Sequence, residues 1–133
     1  ALTGEESARF HFLLSKASWP EKKIENALAH AQKAFLQEPR NDAHARHLFE
    51  ILLSLGMEEK AVYYLLKYED AIPSPASFHA MIAEHYFHRK QISKAWEYIQ
   101  KAARLDPGDK RIQNRLQTLY FSFKKAKTEH EQR

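Results

Sequence analysis

A repeat of 34 residues is the feature of this sequence that most narrows its possible folds. Proline and alanine each recur three times on this step, at Pro39, Pro73 and Pro107 and at Ala27, Ala61 and Ala95. Periods of this length are typical of chains built from similar repeats, each of which buries its apolar face against the next one. The period therefore predicts a stack of similar structural repeats.

Each repeat has the pattern of two helices joined by a turn. The alanine lies where the second helix crosses the first, and a small residue there lets two antiparallel helices approach closely. The proline ends the repeat because it cannot continue a helix. Only three glycines are present, which also favours helices over strands. We expect seven helices, at about residues 5–18, 20–37, 43–55, 58–70, 76–89, 93–105 and 110–123 or beyond, and fraying of the polar segment after residue 124.

Apolar residues at helical spacing support the first, second and last of these helices. The first helix carries a stripe of Phe10, Leu13, Leu14 and Ala17. The residues of the second helix that we expect to face inward are Ile24, Ala27, Leu28, Ala31, Ala34 and Phe35. The buried stripe of the last helix is expected to consist of Ile112, Leu116, Leu119, Tyr120 and Phe123, with Phe121 off that stripe.

This helix–turn–helix repeat resembles the tetratricopeptide repeat (TPR) family. The resemblance covers about residues 8–41, 42–75 and 76–109, followed by a capping helix at about 110–128. It implies a single all-α domain in which three helix pairs and the cap form a right-handed superhelix.

Two departures from the family pattern concern residue size. The glycine that is usual in the first helix of the repeat is replaced by Ser15, Phe49 and Ala83. Phe49 and Tyr68 are bulky where small residues are usual. We therefore expect the middle repeat to be splayed or repacked.

The resemblance further implies a concave groove, lined by the first helix of each repeat, that receives a peptide or helix of a partner protein. Four large apolar residues recur on the repeat step in this frame: Trp19, Leu53, Phe87 and Phe121. Phe12 and Met81 extend this column, and its polar surround consists of Lys16, Arg46, Glu50, Glu84, His88 and Arg111. Two interpretations of the column stay open: an apolar floor for partner side chains, or packing between neighbouring first helices.

Some members of the family hold the C-terminal carboxylate of heat-shock chaperones with a clamp of Lys, Asn and Arg side chains. The matching positions here are Phe12, Lys16, His47, Ser77 and Met81. Only Lys16 is basic, so we do not expect this chain to bind a chaperone tail in that way.

The residue patterns of catalysis and of bound cofactors are missing from the sequence. It contains no cysteine, which removes thiolate zinc sites and cysteine nucleophiles. Two His-x-x-His pairs, His44/His47 and His85/His88, have the spacing of two metal ligands, and Glu84 lies beside the second pair. A catalytic zinc site needs a third ligand and a defined general base, and the HExxH pattern is missing. We therefore expect solvated or packed histidines, and predict no enzyme, no cofactor and no metal site.

Charge is unevenly distributed along the chain. Residues 1–88 carry nine Lys and Arg against twelve Asp and Glu, a net charge of −3, and residues 89–133 carry twelve against five, a net charge of +7. The basic part is either a solvated surface or one that meets an acidic protein, nucleic acid or anionic lipid. Nucleic acid is disfavoured, because Tyr120 and Phe123 beside the cations are needed on the buried stripe. No apolar run approaches the roughly 18 residues of a membrane span.

The leading functional prediction is a protein-interaction module that binds a partner segment in its groove, as an adaptor, assembly factor or chaperone of a larger complex. Two alternatives stay open. One is a self-association element that forms homo-oligomers through the same apolar surface or the end of the stack. The other is a targeting or regulatory arm of a longer protein.

Overall fold

The computed structural model describes residues 3–19 and 23–131, and within these ranges the fold is entirely helical. No strand occurs there, which confirms the prediction of an all-α chain. None of the described helices is long and apolar enough to cross a membrane. The helices of these ranges are α1 (Gly4–Ser18), α2 (Ile24–Gln37), α3 (Asp42–Ser54), α4 (Glu58–Lys67), α5 (Pro75–His88), α6 (Ile92–Leu105) and α7 (Lys110–Glu131).

The helices fall into two compact units, unit 1 (residues 1–73, α1 to α4) and unit 2 (residues 74–133, α5 to α7). In unit 1 each helix packs against the next, most closely in the pair α1 and α2. In unit 2, α6 packs against both α5 and α7. The single domain expected from the sequence stays a prediction.

Side-chain caps fix the beginnings of α1, α3 and α7. Thr3 Oγ1 accepts a hydrogen bond from the Glu6 backbone N–H (3.1 Å), and Glu6 Oε2 accepts one from the Thr3 N–H (3.2 Å), which together form a capping box. Asn41 Oδ1 accepts a bond from the His44 N–H (3.1 Å). Asp109 Oδ1 accepts bonds from two N–H groups in the first turn of α7, at 2.8 and 3.2 Å. These bonds pair N–H groups that have no partner within the helix.

Two helix ends differ from the expected ones. α4 ends at Lys67 rather than near Asp70, because the chain already turns there toward the proline that ends the repeat. α7 continues to Glu131 instead of fraying after Lys124, since this segment contains good helix formers and neither glycine nor proline. The expected start of α2 at Pro20 lies outside the described residues.

The closely packed pairs α1–α2 and α5–α6 have small side chains where their helices cross. Ala27 of α2 and Ala95 of α6 are fully buried, as the repeat predicts. Ser15 of α1 and Ala83 of α5, at the family's glycine position, are fully buried as well. Small side chains on both helices let the backbones approach, which explains the close packing of these two pairs.

Aromatic rings fill the middle pair, α3 and α4, together with α2. Phe49 is fully buried, and its ring centroid lies 6.3 Å from that of Phe35. The Phe35 ring also makes edge contacts with Tyr64 (5.6 Å) and Tyr68 (5.2 Å). Large rings hold the backbones apart, so α3 and α4 pack less closely than the other two pairs. This arrangement agrees with the expected repacking of the middle repeat.

The apolar stripe that identifies α1 in the sequence does not form its buried face. Phe10 and Leu13 are 52% and 54% exposed, and Ala17 is exposed as well. The buried residues of α1 are Ala8 and Ser15. The physical reason is the close crossing with α2, which requires small side chains and therefore turns Phe10 and Leu13 outward, while Leu14 of the same stripe is half-buried.

Two further residues expected to face inward are exposed. Ile24 is 42% exposed because it lies in the first turn of α2, three residues before the crossing at Ala27. Tyr120 is 45% exposed because it lies at the edge of the α7 stripe, whose centre is the fully buried Leu119. The Tyr120 ring packs beside Trp96 of α6 at 5.7 Å instead of entering the core.

The turns after α3 and α5 share one backbone geometry although their residues differ. Gly56 has a φ of 74°, and Lys90, one repeat step later, has a φ of 61°. In both turns the following residue donates a backbone hydrogen bond to the carbonyl five residues before it, at 2.8 and 2.9 Å. This is the Schellman motif, in which glycine is usual because it adopts a positive φ without steric cost. Lys90 therefore holds an unfavourable backbone conformation in unit 2.

We expect substitutions at these two turns to change stability in opposite directions. Gly56→Ala should lower the free energy of unfolding by about 1 kcal/mol, because alanine is strained at positive φ. Lys90→Gly should raise it by roughly 0.5 to 1 kcal/mol, since relief of the strain exceeds the entropic cost of glycine. Urea unfolding followed by circular dichroism measures both changes. The matched control is Gly108→Ala, where an added methyl group makes only an ordinary contact, and a less stable Lys90→Gly protein would contradict the prediction.

Candidate functional site

In unit 1, a cation and two imidazole rings surround the predicted groove residue Phe12. The Lys16 ammonium nitrogen, one turn later on α1, lies 5.6 Å from the Phe12 ring centroid. The rings of His44 and His47 on α3 lie 4.8 and 5.4 Å from the same centroid. Phe12 is half-buried, so α1 and α3 hold the ring while part of its surface stays open to solvent. We call this cluster the Phe12 site.

A cavity of about 390 Å³ adjoins the Phe12 site. Phe12 and Leu13 supply apolar wall, and Glu5, Arg9 and Glu38 place charges of both signs around it. Cavities of several hundred Å³ are the size that ligand groups occupy in proteins. Unit 1 therefore offers an apolar surface with a charged rim beside a residue that the sequence predicts to bind a partner.

A polar contact inside unit 1 fixes the position of His47. Ser15 Oγ lies 2.6 Å from the Ala27 carbonyl oxygen and 2.7 Å from His47 Nε2. The single hydroxyl proton of Ser15 is donated to Ala27, so Ser15 accepts a hydrogen bond from the Nε2–H of His47. Burial lowers the pKa of His47 to about 4, and the nearby Lys16 and His44 act in the same direction. His47 is therefore a neutral ring that supports the Phe12 site.

Two further histidines meet between α1 and α2. The Nδ1 atoms of His11 and His30 lie 2.7 Å apart, and the rings stack with centroids 4.9 Å apart. A contact this short requires one nitrogen to donate a proton and the other to accept it. Burial, His30 and Lys33 all lower the pKa of His11. Among the described residues, no three His, Asp or Glu side chains are grouped as metal ligands.

The other predicted site residues of unit 1 differ in accessibility. Trp19 directly follows α1 and is half-buried, and Glu50 is exposed. Arg46 Nε lies 2.6 Å from Asp42 Oδ2, one turn earlier on α3. Leu53 is only 6% exposed, so its side chain packs in the core and is closed to a partner. For Leu53, the core-packing interpretation of the apolar column applies.

In unit 2, Arg115 of α7 joins two predicted groove residues of α5. Its guanidinium carbon lies 4.9 Å from the Phe87 ring centroid, and its Nε donates a hydrogen bond to Glu84 Oε1. His88 Nε2 lies 3.6 Å from Glu84 Oε2, and the His88 side chain is 74% exposed. Half-buried Met81 shares this face of α5, three residues before Glu84. Phe87 is half-buried, so part of its ring remains accessible. We call this cluster the Phe87 site.

Arg115 was missed as a site residue by sequence reasoning, which counted it only among the cations of residues 89–133. The repeat step aligns Phe87 with Phe121, because they are 34 residues apart. Residues related by the step hold equivalent positions in different repeats, whereas contacts join non-equivalent positions. The residue of α7 that contacts Phe87 is therefore not Phe121. It is Arg115, which lies almost two turns before Phe121. The predicted surround residue Arg111 is exposed one turn before Arg115.

Phe121 lies away from the Phe87 site. It follows the buried Ile112 by nine residues and Leu119 by two, which places it on the opposite side of α7, roughly 180° from the buried stripe. Its side chain is 61% exposed, which confirms that it is off that stripe. Phe121 lies within α7 and not at a helix end, because α7 continues to Glu131.

The fold of the chain is that of TPR domains. The first TPR of Spaghetti (RPAP3), solved with the HSP90 peptide SRMEEVD, aligns over 90% of this chain and 94% of that chain, with a TM-score of 0.62 and 13% sequence identity. The TPR domain of Arabidopsis OM64 aligns over 90% of this chain and 99% of that chain, with a TM-score of 0.63 and 13% identity. No protein-family model matches the sequence, and no curated protein matches it either.

Acidification should destabilise both units, because each contains a buried histidine with a strongly lowered pKa. His47 in unit 1 and His79 in unit 2 are 6% and 3% exposed, and burial lowers the pKa of each from 6.5 to about 4. Between these values the unfolded chain binds protons that the folded chain excludes. The stability that each neutral histidine contributes is therefore fully present above pH 6.5 and is lost as the pH falls toward 4. For each histidine, the free energy of unfolding should fall by about 2 kcal/mol between pH 7 and pH 5.

Glutamine substitutions measure the contribution of each histidine. The side-chain amide of His47→Gln keeps an N–H donor for Ser15 but does not titrate, so this variant should lose about 2 kcal/mol less than the wild type over the same pH range. His79→Gln makes the same comparison in unit 2. Urea unfolding at the two pH values gives the free energies. If both variants retain the pH dependence of the wild type, these histidines are not its cause.

Proposed function

We propose that this chain is a protein-interaction module, an adaptor or assembly factor, that binds a segment of a partner protein on the first helices of its repeats. The observation that carries the proposal is the Phe87 site in unit 2. There a half-buried aromatic ring, a stacked guanidinium and a carboxylate are held together by two helices of a TPR fold. Aromatic and arginine side chains are the types that contribute most to protein–protein binding.

The Phe87 site is organised before a partner arrives. Arg115 is held by the Glu84 carboxylate and by the Phe87 ring, so little side-chain freedom remains to be lost on binding. A guanidinium has five N–H donors in a fixed plane. A partner carboxylate can therefore share Arg115 with Glu84, while an apolar side chain of the partner packs on the open part of Phe87.

The Phe12 site offers the same combination of chemical groups in unit 1. Lys16 lies over the Phe12 ring, and the adjoining cavity has Phe12 and Leu13 as apolar wall with Arg9 at its rim. An apolar side chain fits against the wall, and a carboxylate next to it on the partner can reach Lys16 or Arg9. Both sites therefore favour a partner segment in which apolar and acidic residues are neighbours.

The peptide of the RPAP3 structure is not the partner we expect. Among the positions that match the chaperone clamp, His47 is buried and its Nε2 is bonded to Ser15. Lys16 is left as the one cation among these positions. A clamp that depends on several donors around a terminal carboxylate is therefore incomplete in this chain.

Truncation of the aromatic residues should weaken partner binding more than it lowers stability. Phe87→Ala is expected to reduce affinity at least ten-fold, since loss of an interface anchor typically costs about 2 kcal/mol. Trp19→Ala should act in the same direction from unit 1. Partners captured by the immobilised wild type are identified by mass spectrometry, and the affinity of each variant for the purified partner is measured by isothermal titration calorimetry.

A matched control removes an aromatic ring from another surface. Tyr63 lies on α4, the second helix of its repeat, and is 55% exposed. Tyr63→Ala should bind the partner like the wild type, and melting curves show whether each variant is folded. A folded Phe87→Ala protein that binds the partner with the affinity of the wild type would contradict the proposal.

A further inference from the structure

An uncovered apolar stripe runs along the outer side of α1. Phe10 and Leu13 are each more than half exposed, and Ala17 is exposed too. Their spacing of i, i+3 and i+7 places them on one face of the helix. That face is opposite to Ala8 and Ser15, the buried residues of α1. We call these three exposed residues the α1 stripe.

The α1 stripe has the pattern of a helix-pairing surface. Single exposed apolar side chains are ordinary on protein surfaces, whereas a contiguous apolar strip marks a place where another surface binds. Phe10 and Leu13 project on either side of the line through Ala17, and a small residue in such a line lets a second helix come close. The shape of the stripe therefore suits a helix better than a loop.

We infer that the α1 stripe binds the α1 stripe of a second copy of this chain, with the two helices antiparallel. The distribution of charge along α1 favours a second copy of the chain as the bound helix. Glu5 and Glu6 lie in the first turn, and Lys16 lies in the last turn. An antiparallel pair places the acidic end of each helix beside Lys16 of the other copy, whereas a parallel pair would place like charges together. A two-fold axis closes the pair, because the same surface serves both copies.

The positions of these residues define the register of the pair. With the two-fold axis beside residues 11 and 12, Phe10 packs against Leu13 of the second copy, and this contact occurs twice. Glu5 and Glu6 then lie beside Ser18 and Ala17 of the second copy, close to its Lys16. The centre of the contact is apolar and its two ends carry opposite charges, which is a self-complementary arrangement.

The contact is small, which sets the conditions under which it forms. α1 has 15 residues and is therefore about 22 Å long. One helix pair of this length buries less than the roughly 800 Å² per partner of a standard interface. The dimer should therefore form at high protein concentration and dissociate on dilution.

The α1 stripe shares Leu13 with the cavity beside the Phe12 site, whereas Phe10 and Ala17 do not line that cavity. Phe12 faces His44 and His47 of α3, about 140° around the helix from Ala17. A partner segment on the Phe12 ring and a second copy centred on Phe10 and Ala17 therefore lie on different faces of α1. Loss of the dimer leaves the Phe87 and Phe12 sites in place, so each proposal can fail without the other.

Sedimentation equilibrium of the full chain, from micromolar to near-millimolar concentration, measures the dimer. The wild type should show a monomer–dimer equilibrium, and Phe10→Glu should raise its dissociation constant at least ten-fold by placing a carboxylate against Leu13 of the second copy at both apolar contacts. Leu66→Glu is the matched control, because Leu66 is 58% exposed on α4 and lies outside the stripe. Circular dichroism shows that each variant is folded. A wild type that stays monomeric, or a dimer that Phe10→Glu does not weaken, would overturn the inference.

Charge reversal tests the antiparallel arrangement. At low salt, Lys16→Glu and Glu5→Lys should each raise the dissociation constant by about two-fold to five-fold, the range of exposed ion pairs. The variant with both substitutions should bind itself nearly as well as the wild type, because the ion pairs form again with their signs exchanged. A doubly substituted variant weaker than either single variant would overturn the antiparallel arrangement, and sedimentation equilibrium reports both results.

Discussion

The close crossing of α1 and α2 is the interaction on which most of unit 1 depends. It requires small side chains, and Ser15 and Ala27 supply them with no exposed surface. Because α1 packs against α2 with the face that carries its small side chains, Phe10 and Leu13 face outward. The same approach brings the Ser15 hydroxyl within hydrogen-bond distance of the Ala27 carbonyl and of His47. One packing requirement therefore determines the core, a buried neutral histidine and an uncovered apolar face.

Both candidate sites rest on rings that packing holds and cations that lie over them. The Phe12 ring lies between α1 and α3 with Lys16 above it, and the Phe87 ring lies beneath Arg115. A half-buried ring cannot turn away, and a cation over its face is attracted by the negative charge of the π-system. In the Phe87 site, Glu84 also accepts a hydrogen bond from Arg115, which fixes the orientation of the guanidinium. The two sites therefore present similar chemistry although their sequences differ.

The sequence predicted the helices well and the contacts between them poorly. Helices depend on local spacing, turn residues and caps, and the alanine and proline columns report these directly, as at Ala27 and Ala95. Phe12 and Phe87 were predicted as site residues and are partly accessible. Leu53 was predicted with them and is buried. Arg115 was missed, because the repeat step identifies equivalent positions and says nothing about which positions touch.

The sequence by itself determined that the chain is a set of paired helices, since a 34-residue period with small crossing residues and terminal prolines has few other solutions. Tertiary structure decided which face of each helix is buried. On α1, the spacing of apolar residues predicted that Phe10 and Leu13 would be buried. The crossing with α2 has room only for a small side chain, so Ser15 is buried there instead. Apolar character favours burial, yet the distance between two backbones decides which side chains fit, and that distance exists only once the helices have met.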